Sequence, residues 1–419
     1  MPLPSIAITD HRLAIQRVHS NELVRRLGEP LLGGNRVTLL NNEPDALGAM
    51  FRTIAEASNH INIESAALDV GGRGAELAQR LVDRCRDGVR VNLLVDSSGS
   101  SSTASAALKR LGSASLRLCQ HKTMRRWQVR LSRVLQRPSQ HQLMVVDGRI
   151  GFIGRADLGP AASPSSSALS GTTAAPPSLL RAGSAAAPGS RDLHLCIEGP
   201  VVQRLQRLFV AHWQCHASGS MPQARYFPPL LPLGTQRIGV AAFDAGLEPD
   251  PYDRALLGAI ASALRSVMLT PAQWLPSPRL LRSLNRAARR GVEVQLLLPG
   301  GGHLTVLQHA GRSHFTQLLE SGVQIHEHHE AHDTRPHARA CVVDGVWACI
   351  GPGHSDWRSF AHPAEARLVV LDERFASQME QLFRADVGRA QRVDFAAWSS
   401  RSNWLRCKEA LARRFAYLL

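Results

Sequence analysis

Short apolar runs alternate with amphipathic stretches along this chain, and the alternation begins near Arg36. Val37–Leu40 has the pattern of a strand, Pro44 to Asn59 that of a helix, and His60-Ile61-Asn62-Ile63-Glu64 alternates polar with apolar, which predicts a second strand. Ala75 to Arg86 is amphipathic at helical spacing and stops at Asp87-Gly88, after which Val89 to Val95 predicts a strand. The rhythm returns further on: a helix over Asp253 to Ser266, a strand at Val267-Met268-Leu269, a helix over Ser277 to Arg290, and a strand from Val292 to Leu298 opened by Gly291. Gly88 and Gly291 lie 203 positions apart, which marks an internal duplication of an α/β unit. Residues 1–34 carry no clear period and read as a lead-in.

The duplication carries a repeated motif. One copy runs Gln140-His141-Gln142-Leu143-Met144-Val145-Val146-Asp147-Gly148, then Gly154 and Asp157. The other runs His337-Ala338-Arg339-Ala340-Cys341-Val342-Val343-Asp344-Gly345, then Gly351 and His354, and closes with Asp356-Trp357-Arg358-Ser359. Each reads as an apolar strand, an Asp-Gly turn and a second apolar strand ending at Gly, and His337 falls on Gln140 when Asp147 and Asp344 are superposed. The pattern resembles the H-x-K-x4-D-x6-G-x2-N motif of the phospholipase D superfamily. The stretches Arg191 to Pro200, Asn35 to Glu64, Gly291 to Gly300 and Asp356 to Phe360 are similar to segments of bacterial cardiolipin synthases.

The resemblance implies a two-domain phospholipase D-type pseudo-dimer, each half a mixed β-sheet flanked by helices. The expected division is a lead-in at 1–34, a first domain at 35–220, a linker at 221–236, a second domain at 237–395 and a basic amphipathic helix at 396–419. It also implies one site shared by both motifs, with no metal and no cofactor. One His attacks phosphorus to form a phosphohistidine; the other protonates the leaving alkoxide and then deprotonates the incoming alcohol. Two Lys hold the phosphate oxygens. Carried onto this chain, His337 is the nucleophile or acid, Glu365 orients its imidazole, Arg339 replaces Lys on phosphate, Asp344 counts among the catalytic residues of the motif, and Glu64 matches a site acid. His354 stands where the family has Asn, either as a proton donor or as a plain hydrogen bonder. The first copy is degenerate. Gln140 and Gln142 replace the His and Lys, beside Asp147, Asp157 and the Glu365 counterpart Asp192. A Gln neither attacks nor donates a proton to an alkoxide, and the loss of such help costs about two to four decades of rate. His141 is one residue out of register, so only a bulge would aim it at the site.

Charge narrows the partners. Lys and Arg total 49 against 34 Asp and Glu, a net +15 in 419 residues, which favours anionic partners. Two stretches combine basic residues with an apolar stripe. Met124 to Arg137 carries Trp127, Leu131, Val134 and Leu135, and Trp404 to Leu419 carries Trp404, Leu411, Phe415 and Leu418, a pattern of interfacial helices as well as of ordinary packed ones. Anionic phospholipids such as phosphatidylglycerol and cardiolipin are therefore the expected partners, through peripheral contact at the cytoplasmic face of the membrane. The Trp-bearing basic stretches count against nucleic acid.

The seven cysteines form no C-x-x-C pair and read as buried thiols of a reducing compartment. Neither a signal peptide nor a run of 18 apolar residues is discernible. Residues 160–190, mostly Ala, Ser, Pro, Gly and Thr, read as a flexible insertion. His326 to Asp333 holds four His and three acidic residues, but not at metal-protease spacing, and reads as a solvated loop. The expected function is a phosphatidyltransferase of the cardiolipin synthase type, impaired at its first motif. The alternatives are a catalytically inactive protein that binds anionic phospholipid, and a nucleic-acid-directed member of the same fold.

Overall fold

The computed structural model describes residues 5–65, 72–96, 115–121, 143–154, 193–217, 221–242, 251–271, 273–300, 306–328, 340–351 and 366–416. The first half comprises α1 (Ser5–Leu27), β1 (Leu32–Leu40), α2 (Glu43–Ala55), β2 (His60–Ser65), α3 (Gly72–Arg86), β3 (Arg90–Asp96), β4 (Leu116–His121), β5 (Leu143–Val146), β6 (Ile150–Gly154), β7 (His194–Glu198), α4 (Val202–His216) and α5 (Gln223–Tyr226). The second comprises β8 (Gln236–Ala242), α6 (Pro251–Ser262), β9 (Ser266–Thr270), α7 (Pro278–Arg289), β10 (Glu293–Pro299), α8 (Val306–Arg312), α9 (Phe315–Glu320) and β11 (Gln324–His328). It continues through β12 (Ala340–Val343), β13 (Trp347–Ile350), β14 (Ala366–Leu371), α10 (Glu373–Val387), β15 (Gln391–Arg392), α11 (Phe395–Ser399) and α12 (Asn403–Ala416).

The strand order among the described residues is β15-β11-β10-β9-β12-β13-β14-β8-β1-β7-β6-β5-β2-β3-β4. Outward from the β8–β1 junction, β1-β7-β6-β5-β2-β3-β4 repeats the path of β8-β14-β13-β12-β9-β10-β11, so the duplication is one of topology. In each half three parallel strands, β2-β3-β4 or β9-β10-β11, adjoin an antiparallel motif hairpin. β1 serves both halves by bending: Leu32 and Asn35 pair with β8, and Arg36 to Leu40 with β7. The bend falls at Gly33-Gly34, and a Cβ at Gly34, where φ is +79°, would lie 2.9 Å from Pro232. One apolar cluster runs across the junction. It joins Leu143, Val145, Leu205 and Phe209 to Met268, Val342, Leu368 and Phe383, with α4 and α10 supplying a helix from each half. Buried surface of this kind is the main favourable term in folding, so the halves are stabilised together.

Three segments differ from expectation. Residues 5–27 form a helix whose few apolar anchors, Ile15 and Leu23, join the core of the second half, and whose His19 Nε2 lies 2.8 Å from the Asp344 carboxylate. The 221–236 stretch, expected to be a linker, packs on the first half: Tyr226 is fully buried, and Arg225 donates to the Asn59 side chain at 2.7 Å. His326, Glu327 and His328 lie buried in β11 and not in a solvated loop, while His329 to Asp333 lie outside the described residues. None of the cysteines is in a disulfide; Cys85, Cys341 and Cys349 are buried, but Cys215 and Cys407 are exposed, contrary to the buried reading.

The Asp-Gly turns explain how the motif strands are held. Asp147 (φ 53°) and Asp344 (φ 56°) are the two non-glycine residues of positive φ among the described residues, each followed by a Gly also of positive φ, the backbone of a type I′ turn. Asp147 accepts from the Ser58 hydroxyl and the amides of Ser58, Asn59 and His60, all at 2.8–2.9 Å. Asp344 accepts from the amides of Leu264, Arg265 and Ser266, and from His19. Burial alone would raise both pKa values; these donors reverse the sign and hold both carboxyls below the usual value. Replacing Asp344 by Ala orphans buried donors at about 1–3 kcal/mol each. We expect a loss of stability of roughly 3 kcal/mol or more, larger than for Asp147→Ala at its more open site. Urea unfolding of the two variants measures this, and equal, small losses would contradict the anchoring role.

Candidate functional site

Eight of the residues expected at the site, Gln140, Gln142, Asp157, Asp192, His337, Arg339, His354 and Glu365, lie outside the described residues, as do His141, the 124–137 stretch and the 160–190 insertion. Their described neighbours define the frame. Gln142 immediately precedes β5 and Arg339 precedes β12, while Glu365 precedes β14. Antiparallel pairing sets Leu143 opposite Ile153, Gly154 opposite His194 and Ala340 opposite Ile350. In each half the entries to the motif strand and to its outer neighbour, and the exit of the hairpin, therefore share one edge of the sheet.

Glu64 stands on that edge, paired in register with Leu143. Its side chain is buried, and its Oε2 lies 3.0 Å from Nδ1 of His212 on α4. Thr270 occupies the equivalent place in the second half, opposite Ala340. A small cavity of about 20 Å3 is lined by Glu64, Ser65, Leu143, Gly154 and His194. Another of about 20 Å3 is lined by Leu193, Thr270, Ala340, Val342 and Phe383. This second cavity joins the halves, because Leu193 follows Asp192 directly and Ala340 follows Arg339.

The motif glycines have a packing reason in both copies. A Cβ at Gly154 would meet His194 Nδ1 at 2.7 Å, and one at Gly351 would meet Arg367 Cγ at 2.8 Å. Each Gly thus admits the first large side chain of the next strand. Arg367 is buried with its guanidinium 4.0 Å from the centroid of the Tyr252 ring. His194, His212 and Arg367 were not anticipated as site neighbours, since they reach this edge through pairings remote in sequence.

Asp344 requires a correction. The four residues of β12 separate it from the strand entry by about 13 Å at the usual rise, and its carboxylate is filled by amides and His19. It fixes a turn and is not a catalytic group; Asp147 has the same place in the first copy. No cluster of three or more metal-capable side chains occurs among the described residues.

A fold made of two such units, joined by the β8–β1 pairing and by an apolar cluster that includes residues of both motif strands, defines a two-domain phospholipase D-type α/β protein. Residues 256–387 match the family described as "Cardiolipin synthase, PLD-like domain". The chain is 25% identical over 417 residues to a cardiolipin synthase of Geobacillus kaustophilus, covering 97% of this chain and 78% of that protein. It is 27% identical over 405 residues to cardiolipin synthase A of Serratia proteamaculans, covering 94% and 78% respectively. The crystal structure of phosphatidylserine synthase from Haemophilus influenzae superposes with a TM-score of 0.63 at 9% identity over 95% of this chain and 97% of the other, a likeness of fold. Along nearly its whole length the chain is similar to cardiolipin synthases, and its fold is that of the phospholipase D type.

Two histidines near the motif strands link the frame to pH. Burial pushes His60 down to about 4 against the opposing charge of Asp147, and burial pushes His194 down to about 4, from a usual 6.5. The unfolded chain therefore binds protons that the folded one refuses between pH 6.5 and 4, so stability is full above that window and falls as pH drops through it. At about pH 5 the loss is about 2 kcal/mol per histidine. Urea midpoints at about pH 7 and about pH 5 should show it. A flat profile would contradict neutral burial, and His194→Gln should shallow the slope.

Proposed function

We propose that this protein is a phosphatidyltransferase of the cardiolipin synthase type whose turnover is impaired at its first motif. The similarity to cardiolipin synthases along nearly the whole chain carries the reading. The cavity that joins Leu193 to Ala340 supports a common cleft for Gln140, Gln142, His337, Arg339 and Glu365, because the lining residues adjoin Asp192 and Arg339 in sequence. The reaction proposed moves a phosphatidyl group from one phospholipid to a glycerol hydroxyl of phosphatidylglycerol or a related alcohol. His337 attacks phosphorus with its neutral imidazole nitrogen, the phosphorus–oxygen bond to the leaving alcohol breaks, and a phosphohistidine forms. The acceptor hydroxyl then attacks phosphorus, its proton passes to a base, and His337 is regenerated. Arg339 binds the phosphate oxygens, which a guanidinium does bidentately. Glu365 orients the imidazole.

The leaving alkoxide needs a proton that Gln140 does not supply, and Gln142 contributes no charge to the phosphate. These replacements also favour a second reading, a catalytically inactive protein that binds anionic phospholipid. Both readings place the chain in peripheral contact with the inner face of the cell membrane. No described helix is long and apolar enough to cross a membrane.

Leaving-group dependence separates the two. A phosphodiester with a nitrophenolate leaving group needs little proton donation, so slow labelling or hydrolysis that disappears in His337→Ala is expected, with far weaker transfer from natural lipid diesters. Gln140→His combined with Gln142→Lys should raise natural transfer by at least about two decades. Robust cardiolipin formation by the unaltered protein would refute impairment. No reaction even in the double variant would refute the transferase reading and leave the binding protein.

A further inference from the structure

The C-terminal helix α12 builds a feature whose lining contains none of the described motif residues. Its Glu409 and Ala412 are buried toward the body, where Arg401 donates to Glu409 at 2.7 Å. The adjoining face, Arg406, Ala410, Arg413 and Arg414, borders a cavity of about 690 Å3 closed on the other side by Ser313, Thr316, Ser399 and Arg401. Four arginines against the single Glu409 give the lining a net charge of +3. Arg401 stacks on Trp398, its ring centroid 3.6 Å away, with Nε buried and unpartnered, and Arg406 donates to the Ser399 carbonyl. Neither Arg413 nor Arg414 has a carboxylate partner among the described residues. Thr316 Oγ1 accepts from Trp398 Nε1 at 3.1 Å, which leaves its own proton to donate. Arg413 also acts on His314, whose pKa is pushed to about 4 by burial and then by that positive charge.

The remaining face of the same helix is apolar and open. Trp404 is 66% and Leu411 59% exposed, with Lys408 5.2 Å from the Trp404 ring centroid. At about 100° per residue these side chains fall within about 60° of one another, between the basic face and Ala412, with Glu409 turned away. An exposed Trp and Leu next to an arginine-lined cavity match a lipid surface of negative charge: the rings enter the interface, and the cavity receives what projects from it.

We infer that this cavity holds the phosphate of an anionic phospholipid headgroup while the Trp404–Leu411 face lies in the lipid surface, a lipid site separate from the motif residues. It rests on the membrane contact proposed above and not on turnover. The guanidinium groups of Arg413 and Arg414 grip the phosphate oxygens, and Thr316 donates a hydrogen bond.

The test uses the full chain and vesicles of phosphatidylcholine with and without phosphatidylglycerol. Arg413→Gln with Arg414→Gln keeps helix propensity and net fold but removes two charges, and should weaken binding to the phosphatidylglycerol vesicles about thirtyfold. Arg80→Gln with Arg86→Gln, which removes the same charge from α3, should change it by less than about threefold. Arg413→Lys with Arg414→Lys should restore most of the binding, which excludes a folding defect as the cause. Soluble glycerol phosphate should slow amide exchange over 403–416 in the parent and not in the Gln pair. Equal weakening by both Gln pairs would mean diffuse charge attraction and would overturn the site; so would no weakening by either. Protection by inorganic or glycerol phosphate with no effect on vesicles would overturn the lipid source in favour of free phosphate. His337→Ala should leave vesicle binding unchanged, so a failure of the transferase reading is seen separately.

Discussion

The carboxylate in each left-handed Asp-Gly turn is the constraint on which the rest of the molecule depends. Asp147 and Asp344 sit where the motif strand reverses, and each reaches sideways to the amides that open the neighbouring parallel strand, β2 or β9. Without those bonds three consecutive amides in each half would lack acceptors at the entry to a buried strand. With them, the hairpin and the parallel strand are locked in one register. That register in turn sets Glu64 opposite Leu143 and Thr270 opposite Ala340. The free ends of β5 and β12, where the chemistry-bearing residues attach, follow from an interaction at the opposite ends of those strands.

The two halves use this device differently in their surroundings. Around Asp147 the 221–236 segment closes over the turn: a Cβ at Gly148 would lie 2.6 Å from the Tyr226 carbonyl, and Tyr226 meets His60 with ring centroids 4.4 Å apart. Around Asp344 the closing element is α1, through His19. The N-terminal helix thus serves the second half while the strand that follows it, β1, divides between β7 and β8. Sequence order and spatial order part company here, and one apolar cluster spans the junction of the halves.

The βαβ rhythm, the 197-residue spacing of the Asp-Gly turns and the strand character of both motif copies were legible because each rests on local periodicity or on turn chemistry. The α1 helix was not, because two apolar anchors and one long-range His–Asp bond leave no amphipathic stripe. His326 to His328 read as polar loop because nothing local records that β10 and β15 flank them in the sheet. Which face of α12 packs was left open by the sequence for a similar reason. A hydrophobic pattern weights Trp404 above Glu409, yet Glu409 is the buried one, paired with Arg401, and Trp404 is exposed. Among the site residues, Glu64 was readable from resemblance, whereas its His212 partner arrives from α4, 148 positions away.

Fold and chemistry occupy separate parts of the motif in this chain. The Asp, which saturates amides, and the two Gly residues, which permit the turn and admit His194 or Arg367, determine the geometry; they are present in both copies. The residues proposed to carry the chemistry adjoin the other end of the strand in sequence. The described bonds that set the register of the first copy run from the amides of Ser58, Asn59 and His60 to Asp147. The first half, with Gln140 and Gln142 in its motif, supplies a pairing edge, half of the central apolar cluster and Leu193 beside Ala340.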